Sequence, residues 1–196
     1  MQLLALGLVL FLLVHASSML RGIRGALIEH IGGESVYKTL YSVFVLAGLF
    51  LIVIGFAQYR SAGMTMIWSP PTWGRHIAML VMLVSFISLA ATYVPSNIRS
   101  TLRHPMITGV ILWSLAHLLV NGDLGSMVLF GSFLVWGIIA RISMGRRARV
   151  IFATAPLNPP LGIRNDVIVV ILGVLLYAAT IVWLHQLLIS VPIMAV

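Results

Sequence analysis

RSTLRHPMITGVILWSLAHLLVNGD, residues 99–123, opens on a basic-histidine-proline run, continues as an apolar stretch and closes on Asn121-Gly122-Asp123. Proline suits the first turn of a helix, where its missing N–H costs nothing, so a helix is expected over 105–120. Asn, Gly and Asp supply turn chemistry, and a second apolar stretch follows at once. Two apolar helices joined by so short a turn make a hairpin whose natural solvent is lipid. Two true spans are the expectation, with a re-entrant pair as the alternative.

The rest of the chain agrees. Hydrophobic residues make up 61% and charged ones only 8%, against about 25% charged in soluble domains. A water-soluble core is excluded. Crossing the hydrocarbon takes about 20 apolar residues. Segments at 2–20, 37–56, 74–94, 105–120, 124–140 and 167–189 meet or approach that length. The expected fold is all-α, a polytopic membrane bundle of about six transmembrane helices in a single domain, 1–196, without internal repeats. No basic run precedes the first segment, and Arg21 and Arg24 follow it, so it reads as a span rather than a cleavable signal.

A net charge of +8 in a soluble protein would suggest nucleic acid; here the positives lie between spans and set topology. Arg21, Arg24, Lys38, Arg99, Arg103, Arg141, Arg146, Arg147, Arg149 and Arg164 fall in the odd connections, and only Arg60 and Arg75 in the even ones. Positive residues stay cytoplasmic, which puts both termini outside and no nucleic acid among the partners. The connection 58–73 would then be external, with Trp68 and Trp73 as interfacial anchors or as part of a lid, and Pro70-Pro71 barring a through-going helix. The internal connection 144–165 joins a basic cluster to a proline-containing tail. Gly48 with Gly55, and Gly131 with Gly137, mark faces where helices approach closely. Asp123 is placed to cap segment five. Cysteine is absent, so neither disulfides nor thiolate ligands are available.

Ionisable groups within a span are costly and mark function. Among the six histidines, His30 falls in an inner loop, and His76 and His185 lie near the outer interface. His15 and His117 lie inside spans. Gly7 and Phe11 precede His15 at helical spacing and Ser18 follows it. Gly109, Trp113 and His117 form one stripe at steps of four: a glycine admitting a helix or a flat ligand, an aromatic wall and a nitrogen donor. Each histidine could equally be a buried side chain bonded to a neighbouring helix. Two histidines without thiols suit haem iron, which needs only axial ligands, better than zinc. By depth, His15 with His104 or His76 with His117 are alternative pairs, and Met79 or Met82 is a further ligand type. Arg103 and His104 flank the N-terminus of segment four, where free N–H groups favour an anion.

Residues 103–136, RHPMITGVILWSLAHLLVNGDLGSMVLFGSFLVW, resemble the signature of the NnrU family of bacterial inner-membrane proteins. The stretches YKTLYSVFVLAGLFLIVIGF (37–56), WGRH (73–76) and YVPSNIRSTLRHP (93–105) and the early His15-Ser17 pair extend the resemblance over essentially the whole chain. It implies an inner-membrane protein associated with nitrite and nitric oxide reduction. The family is similar to plant zeta-carotene isomerase, a haem b enzyme. That likeness implies haem b, with iron ligands at the positions of His15 and His117. Ser114 stands where the relative has an alternative cysteine ligand, which puts ligand switching in doubt here.

Three readings follow. The first is a haem-binding protein, a haem-dependent isomerase of a hydrophobic polyene or a redox enzyme of nitrogen oxides, with Gly109 and Trp113 shaping the pocket. The second is a methyltransferase-like enzyme using S-adenosylmethionine at Arg103 and His104, whose RHP run is similar to that cofactor motif. The third is a non-enzymatic factor partnering a respiratory complex.

Overall fold

The computed structural model describes residues 1–17, 19–152, 162–191 and 193. Lipid offers no partner for backbone N–H and C=O groups, so an apolar chain resolves into helices that bond internally. These are α1 (Gln2–Ser17), α2 (Arg21–His30), α3 (Glu34–Ser61), α4 (Gly74–Ala91), α5 (Asn97–Leu102), α6 (Pro105–Val120), α7 (Leu124–Phe152), α8 (Ile163–Ala179) and α9 (His185–Ile189). A π turn, Thr180–Leu184, joins the last two. Glu34–Ser61, Gly74–Ala91, Leu124–Gly145 and Ile163–Ile189 are long and apolar enough to cross a bilayer. The helices α1 and α6 are equally apolar but have 16 residues each, about 24 Å at ~1.5 Å per residue. Large apolar side chains face outward, Leu13 and Leu46 64% exposed and Leu80 66%. Such a surface aggregates in water and is ordinary in lipid. The chain is a multi-pass helical membrane protein.

Several boundaries differ from expectation. Segment one stops at Ser17, whose hydroxyl donates to the Val14 carbonyl. The supposed inner loop holding His30 is the helix α2. The second segment starts at Glu34 and ends past Arg60, charges that complement the helix dipole at their respective ends. Helix α4 ends at Ala91, short of Val94, because the residue before Pro95 avoids helical geometry. The fifth segment runs on to Phe152, since arginine and alanine are good helix formers once the apolar part has nucleated the helix. The sixth begins at Ile163 rather than Val167. Ser18, the proline-containing tail and the side chains of Arg146, Arg147 and Arg149 lie outside the described residues.

The chain divides into two compact units. Unit 1 comprises Met1–Pro70 and Asn121–Arg149. Within it α1 lies on α3 through glycines. A β-carbon on Gly7 would stand 2.6 Å from the Ile52 nitrogen, one on Gly48 would stand 2.9 Å from that of Phe11, and one on Gly55 would collide with the Leu4 backbone. Backbones this close are the mark of small-residue packing in lipid. Gly131 does not share that role: among the described residues a β-carbon there would meet nothing within 4 Å.

The connection after α3 is pinned to the α6–α7 turn. Ile67 and Trp68 donate their N–H groups to the Gly122 carbonyl at 2.8 and 3.2 Å, and Leu124 donates to Thr65 at 2.9 Å. Buried Tyr59 accepts the Thr65 N–H at 3.0 Å, with its ring laid over Gly125. Asp123 is 5% exposed and accepts the Ser126 N–H at 2.9 Å, the cap expected of it. These bonds suit an anchor held in place.

Unit 2 comprises Pro71–Val120 and Val150–Val196. Helix α4 packs on both α6 and α8, with Ala90 and Ala91 buried against Val169 of α8. Gly173 on α8 faces the Ile87 backbone, 2.6 Å from where its β-carbon would stand. The start of α8 is tied to α5 by side chains. Asp166 accepts from the Asn97 amide at 2.7 Å and from the Ile98 N–H at 3.0 Å, and Asn165 donates to the Pro95 carbonyl at 2.6 Å. A carboxylate on the first N–H groups of a short helix satisfies orphan donors and its dipole together. Asp166→Ala should therefore speed amide exchange at Ile98 and lower the melting temperature in detergent. Asp166→Asn, which keeps an acceptor oxygen, should recover part of both; exchange unchanged in the alanine variant would refute the tie.

Candidate functional site

The two span histidines share a local arrangement that follows from helix geometry. Side chains four residues apart lie one above the other, and both histidines have an aromatic residue at that spacing. His15 sits near the end of α1 with its Nδ1 2.8 Å from the Phe11 carbonyl, and the Phe11 ring stacks on the imidazole at 4.2 Å. His117 sits near the end of α6 with its Nδ1 2.8 Å from the Trp113 carbonyl, and the Trp113 ring lies 5.1 Å away. A carbonyl oxygen only accepts, so the proton is on Nδ1 and the basic lone pair is on Nε2. Metal-binding histidines are held in this way, with the second nitrogen donating to a carbonyl or carboxylate.

His15 is enclosed by aromatic residues from other helices of unit 1. Tyr41 of α3 and Trp136 of α7 each stand 5.8 Å from it, Trp136 edge-on, and Phe133 packs on Phe11 at 5.6 Å. The indole Nε1 of Trp136 is buried with no hydrogen-bond partner among the described residues. Buried donors are normally satisfied, so this N–H beside His15 suits a ligand that brings an acceptor. Sequence reasoning missed Tyr41 and Trp136 because they reach His15 only through the fold. The one signal was that the 103–136 signature ends on Trp136.

His117 belongs to unit 2. The glycine of its stripe, Gly109, admits a helix: a β-carbon there would be 2.8 Å from Leu89 of α4, and the Ser85 hydroxyl donates to the Gly109 carbonyl at 2.8 Å. Of the two occupants the sequence allowed, the structure puts a helix on that face, while Trp113 walls His117. Ser114 is fully buried and donates to Val110 of its own helix at 2.9 Å. His185, set just beyond the π turn, is within electrostatic reach of His117, a proximity unread in the sequence. Its Nδ1 lies 2.7 Å from the Val191 carbonyl.

His104 is half-buried and opens α6, its carbonyl accepting the Thr108 N–H at 3.1 Å. Arg103 precedes it in a left-handed conformation (φ 61°), uncommon for a residue with a β-carbon, with its side chain exposed. His76 is exposed in the first turn of α4, and His30 is exposed at the end of α2. Among the described residues no three His, Asp or Glu side chains gather as a protein-only metal cage. A haem asks only for axial nitrogens and an apolar, aromatic lining; His15 within unit 1 and His117 within unit 2 each offer one such nitrogen beside an aromatic ring.

Compared with models of protein families, residues 3–193 match the one described as NnrU protein. No curated protein matches the chain, and no solved structure does.

Proposed function

The chain belongs to the NnrU family, and from that premise we propose a haem-binding protein of the bacterial inner membrane, with His15 and His117 each a candidate iron ligand. The supporting observation is the repeated pair: a half-buried imidazole, Nδ1 donating to the carbonyl four residues back, and an aromatic ring packed on it. A bound haem b would supply a redox-active iron, accessible to nitric oxide, nitrite or the double bond of a hydrophobic polyene only where one axial position is not held by a histidine. The protein's own part is to keep both imidazoles in the Nε2-basic tautomer. Phe11, Tyr41 and Trp136 hold the His15 ring in place, and Trp113 does so for His117. The indole N–H of Trp136 offers a hydrogen bond next to His15. The resemblance to the family's denitrification role and to polyene isomerisation defines the two substrate classes.

The test is an absorption spectrum of the detergent-purified protein from haem-replete cells, air-oxidised and then dithionite-reduced. A Soret band with sharpened α and β bands on reduction is the expected result. A colourless protein would end the proposal.

A further inference from the structure

Where α2 meets the first turns of α3, Arg24, Tyr37, Lys38, Tyr41 and Ser42 line an open cleft of about 380 Å³. We propose that this cleft binds the phosphate of an anionic phospholipid. All five lining side chains can donate hydrogen bonds, and two are cations. Glu34 is the acid paired with them, 3.5 Å from the Arg24 guanidinium and 3.1 Å from the Lys38 ammonium. The trio keeps one positive charge in excess. Both cations are reachable, with side chains 43% and 68% exposed.

Tyr37 supplies the second, independent observation. It is only 8% exposed, it forms a wall of the cleft, and its hydroxyl is buried with no hydrogen-bond partner among the described residues. Burying a hydroxyl unpaired is unfavourable, and an oxyanion in the cleft would give it an acceptor. The Arg24 guanidinium lies over the Tyr37 ring, 5.7 Å from its centroid. That contact holds the fork that best matches phosphate over the same tyrosine that walls the cleft.

Depth favours a lipid over a soluble anion. Lys38 lies one turn into the span Glu34–Ser61, at headgroup level. Leu40, Val43 and Phe44, next along α3, are 40%, 54% and 48% exposed, a surface fit for acyl chains. The Lys/Arg bias puts this end of α3 in the cytoplasmic leaflet, where anionic lipids are found.

The experiment is native mass spectrometry of the full chain in micelles doped with phosphatidylglycerol or phosphatidylcholine, with and without inorganic phosphate. The wild type should retain phosphatidylglycerol over phosphatidylcholine. Arg24→Gln and Tyr37→Phe should each lower that retention by about tenfold, as loss of a hydrogen bond to a charged group implies, and Arg75→Gln should not. Tyr37→Phe removes a single oxygen that bonds nothing among the described residues, so its melting temperature in lipid-free detergent should match the wild type. Equal retention in both cleft variants would overturn the proposal. So would displacement of the lipid by inorganic phosphate at equal concentration, which would make this a site for free phosphate.

Discussion

Gly55→Val should be among the most disruptive single substitutions in the chain, collapsing the melting temperature of unit 1 in detergent. A β-carbon at Gly55 collides with the Leu4 nitrogen and comes within 2.7 Å of Leu3 C and Leu4 Cα. These atoms are backbone and cannot rotate away, so α1 must lift off α3 along its length. Overpacking typically costs about 1–3 kcal/mol where side chains can yield; here the cost should reach or exceed about 3 kcal/mol. Gly131→Ala is the matched control. Its β-carbon meets open space, and replacing a mid-helix glycine by alanine gains up to about 1 kcal/mol. A Gly55→Val protein melting with the wild type, by circular dichroism or fluorescence-detected gel filtration, would show that α1 does not pack as described.

The second large effect is on pigment. If His15 and His117 ligate iron, His15→Ala and His117→Ala should each lower haem per protein by about tenfold, within the range by which even outer-sphere changes weaken metal sites. Apoprotein stability provides the check that a folding defect is not being read as ligand loss. His76→Ala, at an exposed position, should keep full haem and an unchanged spectrum. Trp136→Phe should keep haem bound but shift the reduced bands, since it removes the indole N–H beside His15 along with part of the ring that packs on it. Haem retained in both His15→Ala and His117→Ala would remove these histidines as ligands.

The apolar segments, the Asn121–Asp123 turn and the Gly48/Gly55 face could be read from residue order because each is a local pattern. So could the cap by Asp123. Helix α2 could not: Gly22 and Gly25 with Arg21, Arg24 and Glu29 look like a polar loop until α3 gives the segment something to lie against. The C-terminal third of α7 was hidden for a related reason, since a hydropathy reading stops where the apolar residues stop, while the helix continues through good helix formers. Gly109 shows the limit at the site: its spacing from Trp113 and His117 is helical, but only Leu89 and Ser85 of another helix reveal which way that stripe faces. Tyr41, Trp136 and the proximity of His185 to His117 arise from tertiary packing, for which a single sequence carries no periodic signal.

The interleaving of the two units also bears on biogenesis. Unit 1 is begun by Met1–Pro70 and finished by Asn121–Arg149, while the intervening Pro71–Val120 belongs to unit 2, which itself waits for Val150–Val196. During synthesis the first three helices leave the ribosome long before the strand of backbone that pins their connection, Gly122 to Leu124, has been made. The glycine-lined pair α1–α3 therefore has to persist with its partner α7 still missing. A nascent chain stalled after Val120 carries two half-built units rather than one complete one, so quality control has no finished intermediate to spare.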